Sequence, residues 1–373
     1  LPQKKNKEIL NERKNNATLF HSPFYSVYCV ASDFLGSSFF ELRRQIMLIL
    51  AADIGGTSSR FALFSILKGK LSLEKIIQKK TKEYASFFEI LEEIASEDSS
   101  FSFDSVSSGV LALPGPVNSK NDVVLTNVSW SVPIRALRQQ YNKTSFYVVN
   151  DFIAQVYGCL ALKEEDCIII QKGKPDPGGV LAAIGAGTGL GHGAAIPLPS
   201  QKYIPLPSEG GHSTFSFLQE EHSYESFLKK RLSLSYITKE IVVSGKGLSL
   251  LHEFLTGRYL SPPEVVSNTV GSSLTTMLFS SFYARACRDL CLYTLPTRGL
   301  FITGGIAISN PWIIDNNMFR KEFNFSFSHS QLLGQIPVYL LRNEANGLWG
   351  AIYYFLQCLS GAEHIIGFND SFS

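Results

Sequence analysis

Asp53, Gly55, Gly56 and Thr57 stand together in LILAADIGGTSSRFALF, residues 48–64. Such a group suits a triphosphate–metal complex. Two glycines let main-chain N–H groups approach an anion and adopt backbone angles that other residues avoid, the threonine adds a hydroxyl, and the carboxylate can hold hydrated Mg²⁺. A plain β-hairpin with a glycine turn would use the same residues. Asn150 and Asp151 end the run SFYVVNDF. A carboxylate there can take a proton from an attacking hydroxyl, although Asp and Asn also serve simply as helix caps. Glu209 and His212 lie in SEGGHSTF, where Gly210 and Gly211 argue against a regular helix and so against a helical metal pair. A glycine loop offering a carboxylate and an imidazole suits bidentate hydrogen bonding to vicinal hydroxyls of a sugar. Glu240, before IVVSGKG, reads on its own as a solvated helix charge.

The elements that must position these groups follow from periodicity. The apolar run before Asp53 and the alternation after it predict strand, tight turn, strand. The plan repeats in GVLAAIGAGTGLGHGAAI, residues 179–196, with the turn GAGTGLG at 185–191. Two glycine/threonine turns about 130 residues apart imply two related half-domains facing one nucleotide. A third strand, in RGLFITGGIA at 298–307, runs into Gly304 and Gly305. Strands are expected at 47–54, 59–66, about 71–80, 105–117, 145–152 and 336–343, and helices at 86–96, about 132–140, from Asp151 through Leu162, and at 347–359. Thr126, Asn127 and Trp130 fall on an expected loop. Alternating strands and helices imply an α/β protein with mixed sheets.

Composition narrows the function classes. The chain has 373 residues, 45% hydrophobic and 18% charged, with a net charge of +2. That length accommodates two domains. The scattered Lys and Arg give no nucleic-acid surface, and no run approaches the roughly 18 apolar residues that span a bilayer. Six cysteines, none in a CxxC pair, read as reduced, buried thiols of a cytoplasmic protein. Cys287 and Cys291 are four apart on an expected helix, but no further ligand stands near them in sequence, which favours core packing. Residues 1–46 are polar and basic, then aromatic, and His21, Pro23 and Asp33 interrupt any signal-peptide core. The functional protein is expected to begin near Met47, with the leader dispensable. SGKG at 244–247 lacks the earlier glycine and the Ser/Thr of a P-loop, and no GxSxG elbow of a serine hydrolase occurs.

Three strand–glycine turns in this order resemble the superfamily of sugar kinases, actin and heat-shock chaperone ATPases. Closer still, ADIGGTSSRFAL, TNVSW, NDF, GAGTGLG, PSEGGH, EIVVSGKGL and LFITGGI resemble bacterial glucokinases over residues 47–360. The resemblance implies a two-domain actin-like (ribonuclease H-like) ATPase fold with the active site in the interdomain cleft. Its small domain would be 47–160 completed by 343–373, and its large domain 161–342. The implied activity is ATP-dependent phosphorylation of the glucose 6-hydroxyl to glucose 6-phosphate, which feeds glycolysis. Ala52, Asp53, Ile54, Gly55, Gly56 and Thr57 would form the phosphate loop, with Asp53 near Mg²⁺ through water. Gly187 and Thr188 would face the phosphates, and Gly304 and Gly305 the adenosine. Asp151 would be the general base, and Asn150, Glu209, His212 and Glu240 would hold the remaining sugar hydroxyls. A cytoplasmic homodimer is also implied, to which 272–295 would contribute unless that segment is core.

Ser58 stands where the family usually has Asn, His192 where a small or aliphatic residue is usual, and Lys246 where Pro is common. The zinc-binding cysteine motif of the related repressor–kinase family is absent. A kinase for mannose, fructose or an amino sugar remains open, as does a catalytically weak regulatory protein on the same fold. Against the regulatory reading, a pure sensor would not need a base like Asp151 at the acceptor oxygen.

Overall fold

The apolar run before Asp53 forms strand β1, Met47–Ile54, whose partner β2, Ser58–Leu67, returns antiparallel and pairs Asp53 with Arg60. The computed structural model of the chain describes residues 46–67, 70–115, 123–125, 128–162, 164–199, 203–268, 273–342 and 344–359. The leader up to residue 45, the loop residues Thr126 and Asn127, and the tail beyond Gly361 lie outside the described residues.

β3, Lys70–Lys80, completes a meander, and β4, Ser108–Leu113, pairs parallel with β1. A two-stranded ribbon, β5 (Val123–Val124) with β6 (Ser131–Val132), precedes β7, Ser145–Asn150, which pairs parallel with β4. The first sheet therefore has the order β3-β2-β1-β4-β7. Helix α1, Phe87–Glu97, covers one face through Phe87, Ile90, Leu91 and Ile94, and the Ser86 side chain caps it by accepting from the Glu89 N–H.

The second sheet repeats this plan. It contains β8 (Cys167–Gln171), β9 (Leu181–Ala186), β10 (Leu190–Pro197), β11 (Tyr203–Ser208), β12 (Gly299–Thr303) and β13 (Val338–Leu341), in the order β11-β10-β9-β12-β13-β8. Again a three-strand meander is followed by a strand parallel to its first member. The half-domain duplication expected from the two glycine turns is thus a topological one.

Helix α2, Asp151–Cys159, lies between the sheets. Ile153, Ala154 and Tyr157 join the core of the first sheet, while Val156 and Cys159 pack with Leu181, Ala183 and Phe301 of the second. Each large apolar side chain so buried contributes about 1.5–3 kcal/mol, so the helix start is held from both sides. α2 ends at Cys159, short of the expected Leu162.

Four further helices matter for the site: α3 (Lys239–Val242), α4 (Gly245–Thr256), α5 (Leu274–Thr294) and α6 (Gly305–Ser309). SGKG proves to be the start of α4, where the Ser244 hydroxyl accepts from the Gly247 N–H. α5 is a core element, burying Phe279, Phe282, Tyr283, Cys287 and Cys291. The last helix, α7, Asn346–Leu359, returns to the first sheet, packing Leu348, Ala351 and Ile352 with Ile49, Ala51 and Phe64. Among the described residues no helix is long and apolar enough to cross a membrane.

Candidate active site

Parallel pairing puts the C-terminal ends of β1, β4 and β7 side by side, the place where α/β sheets present groups to ligands. Asp53 stands at the first end, Leu113 at the second, and Asn150 followed by Asp151 at the third. Asn150 is the helix cap that its residue type allowed. Its amide oxygen accepts from the N–H groups of Phe152 and Ile153, both at 3.0 Å, and its amide nitrogen donates to the Gly115 carbonyl at 3.0 Å. Capping by Asn is therefore compatible with a chemical role for its neighbour. Asp151 is the first residue of α2, with Oδ1 accepting the Phe152 N–H at 2.7 Å.

Both aspartates have been moved toward neutrality. Burial is the main force raising Asp53 from 3.8 to about 7, Asp151 and Glu344 add repulsion, and Arg60 opposes them. Burial likewise raises Asp151 to about 6, with the Phe152 N–H pulling the other way and the Glu209 carboxylate pushing further up. Asp151 thus stands between two acids, its charge acting on Asp53 and that of Glu209 acting on it. An acid poised near neutrality is a candidate general base.

Asp53 is the carboxylate that could hold a divalent cation. It is 9% exposed, and the start of α7 closes on it, since a methyl added at Gly347 would fall 2.5 Å from Oδ2. Among the described residues no three His, Cys, Asp or Glu side chains form a metal cage. One carboxylate amid excess negative charge fits Mg²⁺, which takes few protein ligands and keeps water and phosphate oxygens.

The first glycine turn is held from beneath. Gly55 N donates to Ser58 O at 3.0 Å, the Thr81 hydroxyl donates to Gly55 O at 2.7 Å, and Thr81 N donates to Thr57 O at 3.1 Å. Neither Gly55 nor Gly56 has a positive φ, contrary to the expectation of left-handed backbone there. Gly55 instead allows a close approach, because an added methyl would lie 3.1 Å from Ser58 O and press on that carbonyl. Thr57 remains exposed.

In the second turn Gly187 N donates to Gly189 O at 2.9 Å, and Gly187 O accepts from Gly245 N at the start of α4. Nothing lies within 4 Å of a methyl added at Gly187, and Thr188 is exposed, so this turn faces open space. The third turn abuts it. Gly304 adopts φ +87°, and an added methyl would fall 2.4 Å from the Ala186 carbonyl, so glycine is required on two counts. Tyr283 from α5 ties the pair, accepting the Ala186 N–H at 3.0 Å and donating to the Thr303 carbonyl at 3.4 Å.

Glu209 precedes, and His212 ends, a single turn of tight helix, Gly210–His212. Their side chains are exposed, with Glu209 Oε2 and His212 Nε2 3.8 Å apart. Glu240 is on α3 and does more than carry solvated charge: its Oε2 accepts the Leu190 N–H at 3.0 Å, immediately after the second turn.

Several residues of the site carry no local signal. Arg60 pairs with Glu344 across the sequence. Thr303 donates to Gln155 Oε1 at 3.3 Å, and Asn346 Nδ2 donates to the Gln155 carbonyl at 2.8 Å, linking β12, α2 and α7. Trp130, expected on a loop, donates through Nε1 to Tyr84 O at 2.9 Å.

Five similarities bear on this geometry. A family described as Glucokinase matches residues 50–358. A glucokinase of Synechocystis is 30% identical, with the match covering 81% of this chain and 96% of that one. A glucokinase of Nitrobacter hamburgensis is 32% identical over 81% of this chain and 95% of its own length. Among solved structures, glucokinase from an Antarctic psychrotroph superposes with a TM-score of 0.70 at 26% identity, covering 85% of this chain and all of that one. A Balamuthia mandrillaris glucokinase solved with glucose shares the fold, with a TM-score of 0.70 at 19% identity over 88% of this chain and 98% of that one.

Proposed function

The chain belongs to the glucokinase family and phosphorylates glucose with ATP, and on that premise we propose that Asp151 is the general base of the transfer. The observation that carries this reading is the placement of Asp151 at a helix start, near enough to Asp53 for their charges to interact, with its carboxyl raised to about 6. A carboxylate with that affinity removes the 6-hydroxyl proton more readily than an ordinary surface Asp and is still ionised at neutral pH.

Glu209 and His212 hold the sugar hydroxyls, and their exposure leaves them accessible to an incoming hexose. Glu240 contributes through the oxygen that does not bind Leu190, and Asn150 acts chiefly by fixing the start of α2. Main-chain groups of Ala52–Thr57 and of Gly187 and Thr188 receive the phosphates, and Gly304 and Gly305 lie beneath the adenosine. Asp53 would hold Mg²⁺, and the ion, when bound, would neutralise phosphate charge.

We place the small domain at 47–160 with the segment from 343 onward and the large domain at 161–342. Closure of the two excludes water as a competing acceptor. A homodimer in the cytoplasm completes the reading, and buried thiols at Cys159, Cys167, Cys287 and Cys291 suit a reducing compartment.

ADP production with ATP, Mg²⁺ and a panel of hexoses tests it. Glucose-dependent turnover that collapses in Asp151→Asn supports the base. Turnover with another hexose alone keeps the mechanism and changes the substrate, whereas glucose binding without turnover in the wild type contradicts it.

A further inference from the structure

His192 is the buried polar side chain that the phosphate and base assignments leave unexplained. It lies on β10 opposite Ser208 of β11, 8% exposed. Its imidazole sits directly against Gly210: a methyl added there would fall 2.1 Å from Nε2 and 2.2 Å from Cε1. A hydrogen bond links the ring to the Gly210 main chain in the sense that favours a ring N–H donor. Burial and the nearby Lys239 cation outweigh it and hold the ring below its usual pKa, hence neutral. Among the described residues Nδ1 is buried with no partner.

An imidazole with one orphaned nitrogen in a strand interior costs stability relative to an aliphatic residue. Function is the natural compensation, and the neighbouring segment indicates which. Gly210 opens the turn that carries Glu209 and His212. That turn is fixed at three further points: Gly210 N donates to the Ser208 hydroxyl at 3.1 Å, Gly211 packs so closely that a methyl there would fall 2.1 Å from the Leu190 carbonyl, and Lys239 N donates to Ser213 O at 2.9 Å. Lys239 itself is paired with Asp289 at 2.9 Å, leaving it committed to α5.

We propose that His192 is a positioning residue for hexose recognition, supporting the Gly210–His212 turn from beneath so that Glu209 and His212 are presented beside Asp151. The proposal rests on the reading of Glu209 and His212 as sugar ligands. Bidentate recognition tolerates little misplacement, so loosening the support acts on sugar binding before it acts on phosphoryl transfer. His192 touches the recognition turn at Gly210, whereas Gly187 of the second nucleotide turn faces open space, so nucleotide binding is expected to change less.

Steady-state kinetics of His192→Val and His192→Gln test this. Val keeps a strand-forming apolar residue, and Gln restores an N–H donor. The expected result is a glucose KM raised about tenfold in His192→Val, with kcat and the ATP KM within about threefold of wild type, and most of the loss recovered in His192→Gln. An unchanged glucose KM, a parallel rise in the ATP KM, or a Gln variant no better than Val would overturn it. If His192→Val does not fold, Gly210→Ala presses on the same contact from the other side: a rise in glucose KM alone supports the proposal, and no rise overturns it. Glu209→Gln separates the two layers. If its glucose KM is unchanged, the sugar-site reading itself fails; if its KM rises while the His192 variants match wild type, only the positioning role fails.

Discussion

Asp53 is buried and Asp151 half-buried at the ends of the two strands that flank β4 in the first sheet, whereas Glu209 and His212 stand in solvent with 74% and 62% of their side chains exposed. The first pair is rigid by construction, one acid terminating a central strand and the other starting a helix packed from two sides. The second pair is carried by a glycine turn supported on β10. The difference separates two tasks. Proton transfer needs an acid whose affinity is set before substrate arrives, and burial supplies that. Sugar selection needs polar groups that water satisfies until hydroxyls replace it, so those groups stay exposed in the ligand-free protein.

The contrast can be broken most severely at Asp151. Asp151→Asn removes the proton acceptor and keeps the shape, so kcat should fall about 10²–10⁴-fold with a much smaller change in glucose KM. A similar fall in affinity instead would place Asp151 with the recognition pair. Next comes Glu209→Gln, for which the opposite split is expected: glucose KM up roughly tenfold or more, kcat changed little.

Asp53→Asn sharpens the comparison from the side of stability. Because folding raises this carboxyl from 3.8 to about 7, the folded state binds its proton more tightly. Its contribution is fully present below the unfolded pKa and is lost as pH rises through 7. Asn lacks that loss, so at pH 8 the variant should be the more stable, by on the order of a few kcal/mol, while turnover falls. Thermal unfolding at pH 5 and pH 8 checks this, and a destabilised variant at pH 8 would show that Arg60 outweighs burial. The smallest effect is expected at Asn150→Ala, about 0.5–2 kcal/mol of stability from the lost cap, with activity falling only as far as α2 frays.

Local chemistry was legible in the sequence. A short apolar run ending in Asp, and glycines followed by Thr, announce themselves within a few positions, and so did the acids and turns that the structure gathers. What stayed hidden depends on distance along the chain. Arg60 and Glu344 are 284 positions apart, and Asn346 reaches Gln155 across 191. Neither pair leaves a periodic or spaced pattern, because only the return of α7 to the first sheet makes them neighbours. The glycine geometry was hidden for a related reason. Gly55 and Gly56 needed no left-handed backbone, while Gly304 did, since its geometry is imposed by the Ala186 carbonyl of another turn. His192 stood out in the sequence only as a departure, and its contact with Gly210 gives that departure a place.

The most direct test of the base assignment is the pH dependence of kcat/KM for glucose at saturating MgATP. An acid limb is expected, with the rate falling tenfold per pH unit below about pH 6, where Asp151 takes up its proton. A rate that stays level down to pH 5 would mean that the reaction does not require an ionised Asp151, and the assignment would fall.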